Sequence, residues 1–261
     1  MKKTEPKVQL IAQPDIDWVA IHGYLNSVDG VKWWYRVNLQ EDRPGEDLVE
    51  FAGRMCYRSW KPGLNPNVTR VREDSESYLQ NIVASQHGSV LEHANYTFVF
   101  QDVSRVFTHE LVRHRAGCAY SQESLRYVRL DDIPFWFPEW AEEDAELMER
   151  SLRVLDILET HQAWMTERFK LNDEATPFSE KKHKTSFMRR FAPEGLSTSI
   201  VMTANIRSLR HMIEMRTAEG AEEEMRLVFN KVGEVMREKA PALFSDYEVI
   251  NGEWIPGVRK A

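Results

Sequence analysis

The most constraining feature of this sequence is that it carries two hydrophobic periods. Asn95–Phe100 places a large aromatic side chain at every second position, which is typical of a half-buried strand. Ala221–Lys239 instead repeats apolar residues every three or four positions and stops before Pro241, which predicts a helix. The two periods together predict an α+β fold, with a small antiparallel or mixed sheet packed against helices.

The other elements follow from similar patterns. Trp33-Trp34-Tyr35 favours a strand, and a helix is predicted from Val103 up to a stop at Ala116-Gly117. Further strands are predicted at Val8–Ile11 and Leu125–Val128, and helices over Glu46–Tyr57, Ser75–Ser85, Glu142–Leu171 and Ser197–Arg216. With 261 residues, no internal repeat and no clean linker, the chain is predicted to form a single domain over residues 1–261.

Charge and cysteine content limit the function classes. The apolar runs are far shorter than the roughly 18 residues of a membrane span, and the N-terminus lacks the pattern of a secretory signal, so we expect a cytoplasmic protein. Two cysteines are too few for a disulfide framework. The net charge of −7 argues against a nucleic-acid partner. Basic residues nevertheless cluster within 105–129, 181–190 and 207–216, which favours a small anionic ligand such as a nucleotide.

His109 and His114, with Glu110 between them, invite comparison with a zinc-protease motif. That motif needs histidines at i and i+4, whereas these lie at i and i+5, about 140° apart on a helix. His87, Glu92 and His93 would allow a metal site outside this motif, but hydrogen-bonded structural histidines explain them better, and we predict no metal site.

The densest polar constellation is Arg113-His114-Arg115 followed by Ser121–Tyr127. Arginine donates to phosphate through a planar fork, and serine adds a short donor, so this segment suits a mononucleotide phosphate. A solvated basic helix end explains the same residues equally well.

A third polar segment is Asn205–Arg216. If it is helical, Asn205 and Arg216 share one face, while Arg207 and His211 share another. Polar residues on two faces suggest a helix between two binding sites or two subunits, and an ordinary surface helix is the alternative.

Five blocks in this order resemble the flavin-dependent thymidylate synthase family, and the resemblance spans about residues 46–247. The blocks are Gly53–Ser59, His87–His93, Ser104–Arg115, Tyr120–Val128 and Asn205–Arg216. The family's signature usually places seven residues between its second arginine and its serine, while Ala116–Glu123 makes eight here. The extra residue falls within Ala116–Ala119, and Ser124 and Arg126 stay in register. Residues 1–45 lie outside the resemblance as an N-terminal extension without an assigned role.

The resemblance implies a non-Rossmann flavoprotein that reductively methylates dUMP to dTMP. Its carbon donor would be 5,10-methylenetetrahydrofolate, with FAD as hydride carrier and NADPH as reductant. It implies a homotetramer whose active sites form at subunit interfaces. The chemistry is reasonable because uracil C5 is a poor nucleophile until C6 is saturated, and a flavin hydride asks less of this chain than a thiolate does.

The resemblance also implies site residues. FAD would contact His87, Ser89, Glu92, Arg113, His114, Arg115, Gln122, Asn205, Arg207 and His211. The nucleotide would contact Glu110, Arg113, Gln122, Glu123, Ser124, Leu125, Arg126, Arg189 and Arg216. Within this set Ser124 and Arg126 would bind the phosphate. Arg216 would be catalytic, with its guanidinium stabilising an N3 anion of the uracil ring.

Two other functions stay open on the sequence. One is a non-catalytic nucleotide- or RNA-binding module that uses the same arginine clusters. The other is a thymidylate synthase in which Cys118 attacks uracil C6.

Overall fold

The computed structural model describes residues 1–37, 43–126, 130 and 132–259. Its strands are β1 (Lys2–Lys3), β2 (Lys7–Ala12), β3 (Asn95–Ser104), β4 (Cys118–Gln122), β5 (Pro134–Phe135), β6 (Ser197–Asn205), β7 (Tyr247–Ile250) and β8 (Glu253–Pro256). Its α-helices are α1 (Trp18–Ser27), α2 (Val31–Val37), α3 (Pro44–Tyr57), α4 (Ser75–Ala84), α5 (Arg105–Leu111), α6 (Glu139–Glu142), α7 (Ala145–Arg168), α8 (Phe178–Met188), α9 (Ile206–Thr217), α10 (Glu223–Lys239) and α11 (Pro241–Phe244). Two 3₁₀ helices add Gly88–Glu92 and Arg189–Phe191.

The contacts group the chain into two compact units, each made of three segments. The first unit comprises Met1–Gln9, Val99–His114 and Tyr120–Val201. The second comprises Leu10–Phe98, Arg115–Ala119 and Met202–Ala261.

The largest sheet has four strands in the order β2-β3-β6-β4. Strands β3 and β6 run antiparallel, since the Arg105 amide donates to the Leu196 carbonyl at one end and the Ile206 amide donates to the Ala94 carbonyl at the other. The predicted α+β class, with a small sheet and many helices, is confirmed. Two-stranded pairs β1-β5 and β7-β8 complete the strands of the described residues.

Two caps fix where the key helices begin. In the first unit the Ser104 hydroxyl accepts a hydrogen bond from the Phe107 amide at 3.0 Å and so starts α5. In the second unit Asn205 Oδ1 accepts one from the Ser208 amide at 2.9 Å and starts α9. In both places a strand passes directly into a helix, which brings polar residues at the helix start to the sheet's end.

Three predicted elements differ in type from the structure over all or part of their range. Ser197–Asn205 is strand β6, not the first half of a helix, because its side chains alternate between buried and half-buried and its β-branched residues suit a sheet. Trp33–Tyr35 lies in helix α2, where Trp33 and Val37 are one turn apart and both face an apolar cluster. Leu125 and Arg126 lie in a turn after β4, and Tyr127 and Val128 fall outside the described residues.

The N-terminal segment is part of the second unit's core. Leu25, Trp33 and Val37 are buried with Trp60, and Trp18, Tyr24 and Phe51 pack around them. From α2, Arg36 also reaches the fully buried Glu50 of α3 at 2.7 Å. Residues 10–37 are therefore packed against the family-like part of the chain. Among the described residues, no helix is long and apolar enough to cross a membrane.

Candidate active site

In the first unit, α5 carries the predicted arginine-rich segment at its C-terminal end. The helix ends at Leu111, so His114 is not on the same helix as His109, and the zinc-protease geometry cannot form. Two successive turns follow, in which the backbone amides of Arg113 and His114 donate to the carbonyls of Glu110 and Leu111, respectively. Arg113 is exposed and His114 is half-buried. The Tyr120 hydroxyl donates to the His114 carbonyl at 2.8 Å, which ties this segment to β4.

A cleft of about 430 Å³ opens beside this segment in the first unit. It brings together five residues predicted to bind the nucleotide, namely Gln122, Glu123, Ser124, Leu125 and Arg189. Its remaining lining residues are Arg105, Arg190, Ala192 and Glu194. Three guanidinium groups against two carboxylates give the cleft an excess of positive charge, which suits a phosphate group. The size is within the range of roughly 300–1,000 Å³ that is usual for small-molecule sites.

Backbone and side-chain bonds hold the polar wall of this cleft. The side-chain amide of Gln122 donates from Nε2 to the Thr108 hydroxyl at 3.1 Å, so this side chain connects β4 to α5. Glu123 exchanges two bonds with Ser199, one from its own amide to the Ser199 carbonyl and one from the Ser199 amide to Glu123 Oε2, both at 3.0 Å. One Glu123 carboxylate oxygen is therefore occupied by the sheet.

Ser124 and Arg126 lie in the turn that follows. The Ser124 hydroxyl is 3.4 Å from the Arg126 amide, and the Arg126 carbonyl accepts a bond from the Thr185 hydroxyl at 2.9 Å. Arg126 Nε is buried and has no hydrogen-bond partner among the described residues. A buried guanidinium nitrogen without a partner is a costly arrangement that an anionic ligand would relieve.

In the second unit, the 3₁₀ helix Gly88–Glu92 packs on the start of α9. Arg207 Nη1 donates to Glu92 Oε1 at 2.6 Å, and a Cβ built on Gly88 would lie 2.7 Å from Arg207 Nε. A larger residue at position 88 would require this guanidinium to shift. Two residues predicted to bind FAD, Glu92 and Arg207, thus form one ion pair, and both are about half exposed.

His87 lies at the start of the same 3₁₀ helix and stacks on a residue that the sequence analysis missed. The rings of Tyr57 and His87 are 5.4 Å apart with an interplanar angle of 26°, and the Tyr57 hydroxyl is 3.1 Å from His87 Nε2. Ser89 is exposed beside them. The signal for Tyr57 was its place in Gly53–Ser59, the first block of the resemblance.

The polar residues of helix α9 and of its cap differ in exposure. Arg207 and His211 are exposed one turn apart, whereas Asn205 is buried and Arg216 is half-buried. Arg210 belongs to the basic cluster in sequence but has a structural role. It is 2% exposed, forms two bonds to Asp246 at 2.8 and 2.9 Å, and lies 4.8 Å from the Tyr247 ring.

Four residues that line the cleft were not predicted as ligands: Ala192 and Glu194, and the two arginines Arg105 and Arg190. Both arginines belong to basic clusters of the sequence, which predicted a small anionic ligand nearby but did not assign these two residues to it. Among the described residues, no three histidine, cysteine or acidic side chains converge in a way that would hold a metal ion.

The sequence matches, over residues 39–242, a family model described as "Thymidylate synthase complementing protein". The flavin-dependent thymidylate synthase of Mycobacteroides abscessus is 35% identical over 246 residues, which cover 93% of this chain and 88% of the relative. That of Mycobacterium tuberculosis H37Ra is 35% identical over 259 residues, which cover 95% and 93%.

Two solved structures share the architecture. Thymidylate synthase X from Helicobacter pylori, determined with FAD and dUMP, has a TM-score of 0.59 at 18% identity and covers 93% of this chain and 98% of its own. The UMP/dUMP methylase PolB from Streptomyces cacaoi, bound with 5-Br UMP, has a TM-score of 0.60 at 15% identity, over 93% and 94%. The chain therefore has the fold found in these nucleotide-binding enzymes. The family match and the 35% identity define it more narrowly: the chain belongs to the flavin-dependent thymidylate synthase family.

Proposed function

We propose that this protein catalyses the reductive methylation of dUMP to dTMP, with 5,10-methylenetetrahydrofolate as carbon donor, FAD as hydride carrier and NADPH as reductant. The observation that carries the proposal is the arginine-rich cleft. Its lining in the first unit includes five residues predicted to bind the nucleotide: Gln122, Glu123, Ser124, Leu125 and Arg189. Family membership indicates the reaction, and the cleft has a size and charge suitable for a nucleoside monophosphate.

For the nucleotide we propose that Ser124 and Arg126 bind the phosphate, with Arg189 beside them. The unpaired Arg126 Nε supports this role because phosphate would provide the acceptor that the described residues lack. Gln122, Glu123 and Leu125 would contact the nucleoside, with Glu110 and Arg113 at the end of α5 nearby in the chain.

The residues proposed for FAD fit such a group by their donor chemistry. Arg207 uses Nη1 for Glu92, and a guanidinium has five N–H donors, so it retains donors for a ligand. Arg115, Ser89 and His211 are exposed and add a guanidinium, a hydroxyl and an imidazole group. Arg113, His114, His87, Gln122 and Asn205 complete the proposed set. When bound, FAD supplies the hydride that the methylation consumes.

We propose that Arg216 activates the uracil ring. A guanidinium at the edge of the base stabilises negative charge at N3 and so polarises the C5–C6 bond. Arg216 is half-buried on α9, which reduces solvent screening of its charge. Ser124 acts as a ligand in this scheme and not as a nucleophile, since a serine hydroxyl needs an adjacent base for attack.

The proposal includes a homotetramer whose active sites combine residues from several subunits. A cytoplasmic location remains a prediction from the sequence. Sedimentation at defined protein concentrations gives the oligomeric state directly, and a monomer with full activity would contradict shared sites.

The test is an anaerobic assay of dTMP formation from dUMP, in which the product is quantified by chromatography. We expect product only when FAD, NADPH and methylenetetrahydrofolate are all present. Product formation without FAD would contradict the flavin route. Cys118→Ser separates the remaining alternative: we expect turnover to persist, and complete loss of turnover with dUMP binding intact would instead assign the attack on C6 to a thiolate.

A further inference from the structure

The turn Arg115–Cys118 in the second unit accepts hydrogen bonds at three successive backbone carbonyls. The Cys118 amide donates to the Arg115 carbonyl at 3.4 Å and closes the turn. The Ser208 hydroxyl donates to the Ala116 carbonyl at 2.7 Å, and the Asn205 amide donates to the Gly117 carbonyl at 3.3 Å. Three successive carbonyls are thus occupied, two of them by the start of α9.

Gly117 allows this close approach for two independent reasons. Its φ of +67° lies in the left-handed region, which the third position of a type II turn requires. A Cβ at this position would also lie 2.3 Å from Asn205 Nδ2 and 2.6 Å from Ser208 Oγ. The turn therefore has no room for another residue type without moving away from α9.

Ser208 bonds the helix cap and the turn through different atoms. Its backbone amide donates to Asn205 Oδ1 and completes the cap of α9. Its hydroxyl donates to the Ala116 carbonyl. Removing the hydroxyl leaves the cap intact, so the contribution of the turn contact is separable from that of the helix.

We propose that Ser208 is a positioning residue for Arg115. Through the Ala116 carbonyl it holds the turn in one conformation before flavin binds, which lowers the conformational entropy that Arg115 loses on binding. This inference rests on the proposed function, in which Arg115 contacts FAD. The turn Arg115–Cys118 overlaps Ala116–Ala119, where this chain has one residue more than the family's signature, so the Ser208 bond to the Ala116 carbonyl anchors the lengthened segment.

The first test compares FAD affinity by fluorescence titration. We expect Ser208→Ala to weaken FAD binding about five- to tenfold, the effect of losing one hydrogen bond, and Ser208→Thr to bind like the wild type. The matched control is Ser27→Ala, since the Ser27 hydroxyl donates to the Tyr24 carbonyl at the same 2.7 Å. Equal affinity of Ser208→Ala and wild type would overturn the proposal.

A double-mutant cycle shows whether the effect passes through Arg115. In an Arg115→Ala background we expect Ser208→Ala to change FAD affinity less than about twofold, because the group it positions is gone. The same loss in both backgrounds would overturn the positioning role. If Ser208→Ala does not fold, Ser208→Val and Ser208→Thr give the same comparison, because they have nearly the same shape and only threonine keeps the hydroxyl.

Amide hydrogen exchange without flavin separates this inference from the proposed function. We expect faster exchange at the Cys118 amide in Ser208→Ala, with the Phe229 amide in α10 unchanged. Unchanged exchange at Cys118 would overturn the proposal even if the enzyme is active. Wild-type protein that binds no FAD would instead contradict the proposed function. The exchange result would then test only whether the Ser208 hydroxyl anchors the turn.

Discussion

Replacing Glu50 by glutamine tests how residues 10–37 are joined to the rest of the second unit. Glu50 is fully buried, and its Oε1 accepts bonds from Arg36 Nη2 and Arg54 Nε, each at 2.7 Å. Arg54 is 1% exposed, and its other donors reach the carbonyls of Ser59 and Arg72 at 3.1 and 2.7 Å. The carboxylate therefore holds two guanidinium groups in a region shielded from water.

The expected loss follows from leaving those charges without their counter-ion. Breaking a buried ion pair by removing one partner costs about 3–5 kcal/mol, and we expect about 3 kcal/mol because Arg36 keeps some contact with solvent. The assay is urea unfolding at one fixed protein concentration, since subunit association would otherwise shift the midpoint.

A surface pair provides the control. Glu146 and Arg150 lie 2.9 Å apart on α7 with about three quarters of each side chain exposed, so Glu146→Gln should change stability by less than about 0.5 kcal/mol. A loss below about 1 kcal/mol for Glu50→Gln would show that the buried carboxylate contributes no more than a surface pair, and would refute the reasoning.

Three further predictions concern the nucleotide, the chemistry and pH. Ser124→Ala should weaken dUMP about tenfold and keep turnover at saturating dUMP, and inactivity with unchanged affinity would contradict it. Arg216→Ala should retain FAD and lose about a hundredfold or more in kcat, so near-normal kcat would contradict its role. Burial raises the pKa of the Glu46 carboxyl despite a 2.7 Å bond from the Ala242 amide, so ionisation costs stability as pH rises. The Tm of Glu46→Gln relative to that of wild type should therefore rise as the pH increases above the ordinary glutamate pKa of 4.5, and a difference that does not change with pH would contradict this.

Local chemistry made much of the fold predictable. Strand Asn95–Ser104 follows its alternation, and helices α3, α4 and α10 agree with their predicted ranges to within a few residues. The failure at Ser197–Asn205 has a specific cause. The apolar run Ile200–Met202 is short enough to fit a strand or a helix, and the prediction placed the capping residue Asn205, which separates the two elements, inside the helix.

The sequence predicted which residue types form the candidate site, but not which of these residues contact one another. The cleft collects Ser124 and Arg189 from segments about 65 residues apart, a contact that periodicity does not reveal. Arg210 illustrates the opposite case, because its charge suggested a ligand until the buried bonds to Asp246 were known. Sequence patterns identify which side chains are able to bind an anion, and tertiary packing decides which of them are already occupied.

The most direct test of the flavoenzyme account is the visible absorption spectrum of the purified protein, before and after anaerobic addition of NADPH, with and without dUMP. The account predicts an oxidised-flavin spectrum that bleaches with NADPH. A colourless protein that takes up no added FAD and consumes no NADPH would contradict it, and the arginine-lined cleft would then be a binding site without redox chemistry.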